Sequence, residues 1–86
     1  MSTNQFNSKG FTGVYKEYYD NGILKLEVFK LNEIENGIRK YYYENGQLWY
    51  EINMINGKEN GICKSYHKNG ELWNECNFIN GKRIHN

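Results

Sequence analysis

Apolar and polar residues alternate along most of this chain, in short stretches interrupted by Asn-Gly pairs. Alternation with a period of two predicts half-buried β-strands, and Asn-Gly between two such stretches is the strongest local signal for a hairpin turn. The pairs stand at 21–22, 45–46 and 69–70, and further pairs at 56–57 and 80–81 predict the turns that lead to the next hairpin. The pattern therefore predicts a meander of roughly six antiparallel strands.

The pattern also repeats with a period of 24 residues. A shift of 24 aligns GVYKEYYDNGILKLEV, GIRKYYYENGQLWYEI and GICKSYHKNGELWNEC without a gap, starting at Gly13, Gly37 and Gly61. Self-similarity of fixed length predicts a repeat architecture in which each unit packs on its neighbours. We therefore predict an all-β fold, an elongated single-layer antiparallel β-meander of three 24-residue hairpin repeats at 13–36, 37–60 and 61–84, after an N-terminal lead-in segment at 1–12.

Two loop lengths fit these turns, and they differ in which side chains share a face of the sheet. A two-residue loop would place Tyr18 opposite Lys25, divide the recurring apolar positions between both faces, and set Cys63 opposite Cys76. A three-residue loop, whose last residue is a glycine with positive φ, pairs Tyr18 with Leu24 and collects every recurring apolar residue on one face. We expect the three-residue loop, with Gly22, Gly46 and Gly70 in that position.

The three-residue loop carries further expectations for the strand interiors. It pairs Val14 with Val28, and the later repeats follow with Ile38 opposite Ile52 and Ile62 opposite Cys76. Cys63 and Cys76 then point to opposite faces, so we expect reduced structural thiols rather than a disulfide. The recurring lysines fall on the apolar face, where their stems would cover hydrophobic surface; they are Lys16, Lys40 and Lys64.

Composition narrows the class of protein. The chain has 86 residues, 38% apolar and 16% aromatic, with a net charge of +1. The aromatic content argues against disorder, and a length this short bounds the chain to one domain without a large enclosed cavity. The first ten residues lack the pattern of a signal peptide, and no apolar run is long enough to cross a membrane, so we expect a cytoplasmic location.

The consensus G-x-x-K-x-Y-x-x-N-G-x-L-x-x-E resembles the variant form of the MORN repeat, over residues 13 to 83. The sequence departs from the pattern at Glu33, where later repeats have Gly57 and Gly81, and at His67, where the earlier ones have tyrosine. The resemblance implies an elongated sheet of hairpins that makes protein contacts or tethers membranes. It also points to the bacterial branch, or a phage relative, that is sometimes labelled an antitoxin family.

The residues suggest no catalytic or metal-binding chemistry. The one set of metal-ligand types, Cys63, His67 and Cys76, is dispersed by the expected register, with His67 about 13 Å along the strand from Cys63. The recurring glutamates follow the repeat as structural residues do, whereas an enzyme usually departs from its repeat where the pocket lies. We therefore predict no catalytic residue, no metal and no cofactor.

The expected register leaves aromatic and acidic residues together on the face opposite the apolar one. We predict that they bind a protein partner with a basic surface, through cation–π contacts and charge steering; the residues are Tyr19, Glu27, Tyr43, Trp49, Glu51, Trp73 and Glu75. The most specific form of this hypothesis is a small inhibitor or antitoxin that occludes a nuclease, and a homo-oligomer is also expected because the sheet edges are open.

Two alternatives use the same surface differently. Single-stranded nucleic acid could stack on the aromatic residues, but the glutamates expected beside them disfavour it. Membrane association as a scaffold is disfavoured by the absence of a polybasic cluster.

Overall fold

A computed structural model describes residues 10–84, so residues 1–9 of the lead-in segment and the last two residues lie outside the described part. The strands are β1 (Gly13–Tyr18), β2 (Leu24–Leu31), β3 (Ile34–Glu35), β4 (Gly37–Tyr42), β5 (Leu48–Ile55), β6 (Lys58–Tyr66), β7 (Leu72–Ile79) and β8 (Lys82–Ile84). They form one antiparallel sheet in the order β1-β2-β4-β5-β6-β7-β8, with β3 paired to β2.

The sheet measures 51 × 37 × 12 Å, and its smallest dimension, 12 Å, corresponds to the thickness of a single layer. The predicted all-β meander of hairpin repeats is confirmed. No helix long and apolar enough to span a membrane occurs between residues 10 and 84.

The hairpin turns have the expected three-residue loop. Gly22 N donates to Tyr19 O and Tyr19 N donates to Ile23 O, both at 2.9 Å, and the same bonds recur in the next two repeats. The glycine that closes each loop has a φ between 88° and 93°, a conformation that glycine adopts without steric cost. Tyr18 accordingly pairs with Leu24.

The pairing changes one residue further along each hairpin, because a β-bulge follows the turn. Glu17 pairs with Leu26, so Lys25 is an extra residue on its strand. The third loop residue shifts the pairing of the two strands by one residue, and the extra residue on β2 shifts it back to the pairing that a two-residue loop would give. Val14 therefore lies opposite Phe29, and the expected pairing of Val14 with Val28 is wrong. Equivalent bulges recur in the later repeats, where Ile38 pairs with Asn53 and Ile62 with Asn77 instead of Ile52 and Cys76.

The shifted register divides the apolar residues between the two faces of the sheet, contrary to the single apolar face expected. We call one side the core face, because its central row is fully or almost fully buried: Leu26, Val28, Ile52, Met54 and Cys63. Tyr50, Cys76 and Phe78 pack beside this row. The opposite side is the ladder face, named after a row of alternating lysines and glutamates described below. Its apolar residues remain half-exposed or exposed.

Cys63 and Cys76 lie directly opposite each other on β6 and β7 and form a disulfide, with Cα atoms 5.1 Å apart. The expectation of reduced thiols on opposite faces is wrong, and the cause is the same bulge. Disulfides are typical of oxidising compartments, whereas the cytoplasmic location expected from the sequence stays a prediction.

The return turns are two-residue turns with positive φ at both positions: 53° and 71° at Asn32 and Glu33. The departure at Glu33 therefore leaves the turn regular. Glu33 N donates to Phe11 O at 2.7 Å, and the Glu33 carboxylate accepts from Phe11 N at 3.0 Å. In the next repeat Gly57 N donates to Glu35 O in the same way, so each return turn is anchored on the preceding segment.

Hydrogen bonds also join consecutive hairpin turns. Tyr43 Oη donates to Tyr66 O at 2.7 Å, and Tyr19 Oη donates to Tyr42 O. Asn45 Nδ2 donates to Lys68 O at 3.1 Å, while its Oδ1 accepts from Gln47 N within its own turn. These side chains fix the spacing of the turns along one edge of the sheet.

Candidate partner-binding surfaces

Three equivalent side-chain pairs stack along the turn edge of the core face. The rings of Tyr43 and Trp49 lie 5.3 Å apart at an interplanar angle of 24°, and those of His67 and Trp73 lie 5.1 Å apart at 26°. In the first repeat the ammonium of Lys25 lies 5.6 Å from the Tyr19 ring centroid. We call these three pairs the aromatic column. It exists because the bulge turns residues 25, 49 and 73 to the side on which residues 19, 43 and 67 lie.

A shallow apolar groove lies next to the middle pair of the column. Tyr41, Trp49, Tyr50 and Ser65 line it. The Tyr41 ring lies 6.2 Å from both the Trp49 ring and the Tyr50 ring. Burial, with a smaller contribution from Glu59, raises the pKa of Tyr50. The groove can hold a flat or apolar group against aromatic surface.

Cations of the chain already contact aromatic rings on the core face. Lys30 Nζ lies 4.2 Å from the Tyr15 ring centroid, and the Arg39 guanidinium lies 5.9 Å from that of Tyr41. Arg39 is held in place by an ion pair with Glu35 at 2.6 Å. The Tyr15 hydroxyl donates to Glu17, and this bond, with desolvation, raises the pKa of Tyr15. Aromatic rings on this face thus attract positively charged groups.

The ladder face carries an alternating row of charges across the sheet. Each member is directly paired with the next on the neighbouring strand, in the order Lys16, Glu27, Lys40, Glu51, Lys64, Glu75. The expectation that the lysines share one apolar face with all the recurring apolar residues is wrong, since the buried Leu26 points to the opposite side. Within residues 10–84 Arg39–Glu35 is the one ion pair closer than 4 Å, so the ladder side chains face one another without close contact.

Rows with many apolar residues flank the charges of the ladder face. On the turn side Tyr18 pairs with Leu24, Tyr42 with Leu48 and Tyr66 with Leu72. The Tyr66 hydroxyl lies 3.4 Å from the Glu51 carboxylate, which places this row beside the ladder. On the other side Val14, Phe29 and Ile38 line a shallow depression together with Glu27 and Lys40.

The predicted partner-binding residues do not form one surface. The aromatic column contains Tyr19, Tyr43, Trp49 and Trp73, whereas Glu27, Glu51 and Glu75 belong to the ladder on the opposite face. The grouping failed because a one-residue shift moves a side chain to the other face. Which of these residues touch a partner stays a prediction.

Sequence reasoning overlooked Tyr50 as part of a binding surface. The signal for Tyr50 was its position two residues before the buried Ile52, which places both on one face of a regular strand. In the described part of the chain no group of three metal-ligand side chains comes together. Cys63 and Cys76 are engaged with each other in the disulfide.

Comparison with known proteins gives one result at the level of the family. A family model described as MORN repeat variant matches residues 11–29, 35–56 and 59–80. No curated protein and no solved structure matches the chain.

Proposed function

Because this chain belongs to the MORN repeat variant family, whose repeats are generally non-enzymatic protein- or membrane-interaction modules, we propose that it binds a protein partner through its core face. The observation that carries the proposal is the aromatic column with its adjoining groove. Trp73, in the last pair of the column, is 60% exposed, and Trp49, in the middle pair, is 41% exposed. Rigid aromatic side chains that are exposed on a flat surface are typical anchors of protein interfaces.

The partner proposed for this surface presents arginine or lysine side chains. Support comes from the rings of Tyr15, Tyr19 and Tyr41, each of which has a cation of the chain at 4.2–5.9 Å from its centroid. Trp49 and Trp73 stack on Tyr43 and His67, and their exposed surfaces would accept a partner's cation in the same way. The ladder glutamates lie on the other face and have no part in this contact.

In its most specific form the proposed function is that of a small inhibitor or antitoxin. The core face would cover a basic surface of its target, such as the nucleic-acid-binding face of a nuclease. A flat, rigid sheet suits this role, because a preorganised surface loses little conformational entropy when it covers another flat surface.

The test begins with a pull-down from the native cell that supplies the partner. Trp49→Ala and Trp73→Ala are then compared with Phe29→Ala, which removes an equally exposed aromatic ring from the ladder face, since Phe29 and Trp49 are both 41% exposed. We expect each Trp change to weaken binding by about 2 kcal/mol, and Phe29→Ala to leave it nearly unchanged. Folding is checked by circular dichroism. Equal affinities for all three variants would rule out the core face as the partner-binding surface.

Single-stranded nucleic acid is a second candidate, and the placement of the glutamates favours it. With Glu27, Glu51 and Glu75 on the ladder face, three of the acidic residues expected beside the aromatic rings are absent from the core face; Glu17 remains there, and Lys25 is close to Tyr19. Stacked aromatic rings are the usual platform for unpaired bases. A gel-shift titration at low salt separates the candidates. Tight oligonucleotide binding that Trp49→Ala abolishes would favour this function over protein binding.

A further inference from the structure

The charge order of the ladder face decides how two copies of this chain can meet. Two sheets that pack face to face are related by a twofold axis in the plane between them. If the axis runs along the ladder, every ladder residue meets itself and like charges oppose each other. If the axis runs along the strands, the order of the ladder is reversed in the second copy. Lys16 then faces Glu75, Glu27 faces Lys64 and Lys40 faces Glu51 of the other copy.

We propose that the ladder face is the interface of a homodimer with this second symmetry, its axis passing between β4 and β5. All six ladder residues then meet an opposite charge, and each pair occurs twice. Such an interface is isologous, so it closes after two copies and cannot extend into a fibre. A row with three lysines and three glutamates carries no net charge, so it is better suited to its own reversed copy than to a strongly charged partner.

The row on the turn side matches under the same axis. Across the strands it reads Tyr18, Leu24, Tyr42, Leu48, Tyr66, Leu72, so reversal places a leucine opposite every tyrosine. Tyr18 would meet Leu72, and these side chains are 58% and 53% exposed in the single chain. On the other side of the ladder the reversal brings Phe29 over Ile62, two further exposed apolar side chains. Burial of these residues supplies the apolar contribution that the charges lack.

The size of the face sets the expected strength. Six strands spaced about 4.8 Å apart and about six residues long, each rising about 3.3 Å, give a projected area of roughly 500–600 Å² per copy. The total of roughly 1,100 Å² is at the low end of specific interfaces. Because packed sheets are twisted, the central pairs Lys40–Glu51 and Glu27–Lys64 meet most closely. We therefore expect a weak dimer that dissociates as salt is added.

This dimer leaves both core faces outward. Two copies of the aromatic column would then be presented on opposite sides of one particle, which allows a target to be bound twice. The inference does not depend on the proposed partner surface, since it concerns the other face.

A pair of charge changes tests the arrangement. Glu51→Lys places lysines at both central positions, and Lys40→Glu places glutamates there, so neither variant is expected to dimerise alone. A mixture restores both opposite-charge contacts. In sedimentation velocity at tens of micromolar and low salt, we expect each variant to dissociate at least tenfold more readily than the parent, and the mixture to recover the dimer. Glu44→Lys and Lys68→Glu are the controls, with the same charge changes in the hairpin turns.

A second variant guards against misfolding, because each single change also places like charges side by side within the sheet. Exchanging lysine and glutamate at all six ladder positions keeps every neighbouring pair in the chain opposite. We expect this inverted chain to dimerise with itself but not with the parent. The proposal is overturned if the parent is a monomer under these conditions, if Glu51→Lys or Lys40→Glu dimerises as the parent does, or if the inverted chain forms mixed dimers with the parent.

Discussion

Residues 37–60 and 61–84 carry the same motif, yet equivalent side chains have different environments. Ile52 and Met54 of the middle repeat are almost completely buried, whereas their counterparts Cys76 and Phe78 in the last repeat are only partly covered. The Tyr43 hydroxyl bonds to the next hairpin turn, whereas within residues 10–84 no further hairpin turn follows its counterpart His67. The middle repeat is thus completed by strands on both sides, while the last repeat has the short β8 beyond it.

The difference shows that burial in this sheet is supplied by neighbouring repeats. A single hairpin cannot cover its own central row. Each central side chain is shielded on one side by its partner within the hairpin, and the other side is covered only by a strand of the next repeat. Stability is therefore a sum of contacts between repeats, and the same residue type contributes more in the middle of the array than at its end.

Removing the last repeat should have the largest effect. A chain that ends at Asn60 loses β7, β8 and most of β6, which uncovers Ile52 and Met54 and leaves two repeats, fewer than a stable array usually needs. We expect no cooperative thermal transition by circular dichroism. A truncated chain that still melts cooperatively would show that two repeats suffice.

Truncating one buried isoleucine should sharpen the comparison between middle and end. Ile52→Ala removes a side chain that is 1% exposed, and we expect it to lower the free energy of unfolding by about 3 kcal/mol. Ile79→Ala in the last repeat removes one that is 54% exposed and should cost less than about 1 kcal/mol. Urea denaturation of both variants at a concentration where the chain is monomeric measures the difference. Equal losses would mean that burial does not set the cost of truncating an isoleucine in this sheet.

Reduction of the disulfide should weaken the last repeat selectively. The Cys63–Cys76 link occupies the place held in the middle repeat by Arg39 and Ile52, which are directly paired across β4 and β5. With 13 residues of separation in sequence, its loss should cost about 3 kcal/mol. Thermal melts with and without dithiothreitol measure the effect, and a Cys63→Ala, Cys76→Ala double variant is the control that should not respond. An unchanged parent melt would mean that the link contributes nothing.

The smallest effect is expected from a comparison of two equivalent asparagines in the hairpin turns. Asn45 and Asn69 each accept a bond from their own turn, but only Asn45 also donates to a following turn, at Lys68 O. Asn45→Ala should therefore cost about 1 kcal/mol more than Asn69→Ala in chemical denaturation. If the two changes cost the same, the bond between turns does not stabilise the array.

Much of the fold followed from the sequence because its signals are local. The 24-residue period gave the number of repeats, and the Asn-Gly pairs gave the turns and the glycines with positive φ. The aromatic members of the candidate site, such as Trp49 and Trp73, were found in the same way, since exposed aromatic residues recur at equivalent positions.

The bulge after each turn could not be predicted from the local sequence. A single extra residue, such as Lys25, leaves the turn motif intact but moves the strand interior to the other face. For this reason a Cys63–Cys76 pair was expected only with the two-residue loop, and the separation of Trp49 from Glu51 and the interleaving of lysines with glutamates were not foreseen.

The sequence by itself therefore determined the repeat, the strands and the turns, because backbone conformation depends on residues close together in the chain. Only the tertiary structure decided which side chains share a face. That choice depends on pairing between strands, where burying Leu26, Val28, Ile52 and Cys63 in one continuous row compensates for the bulge in every hairpin.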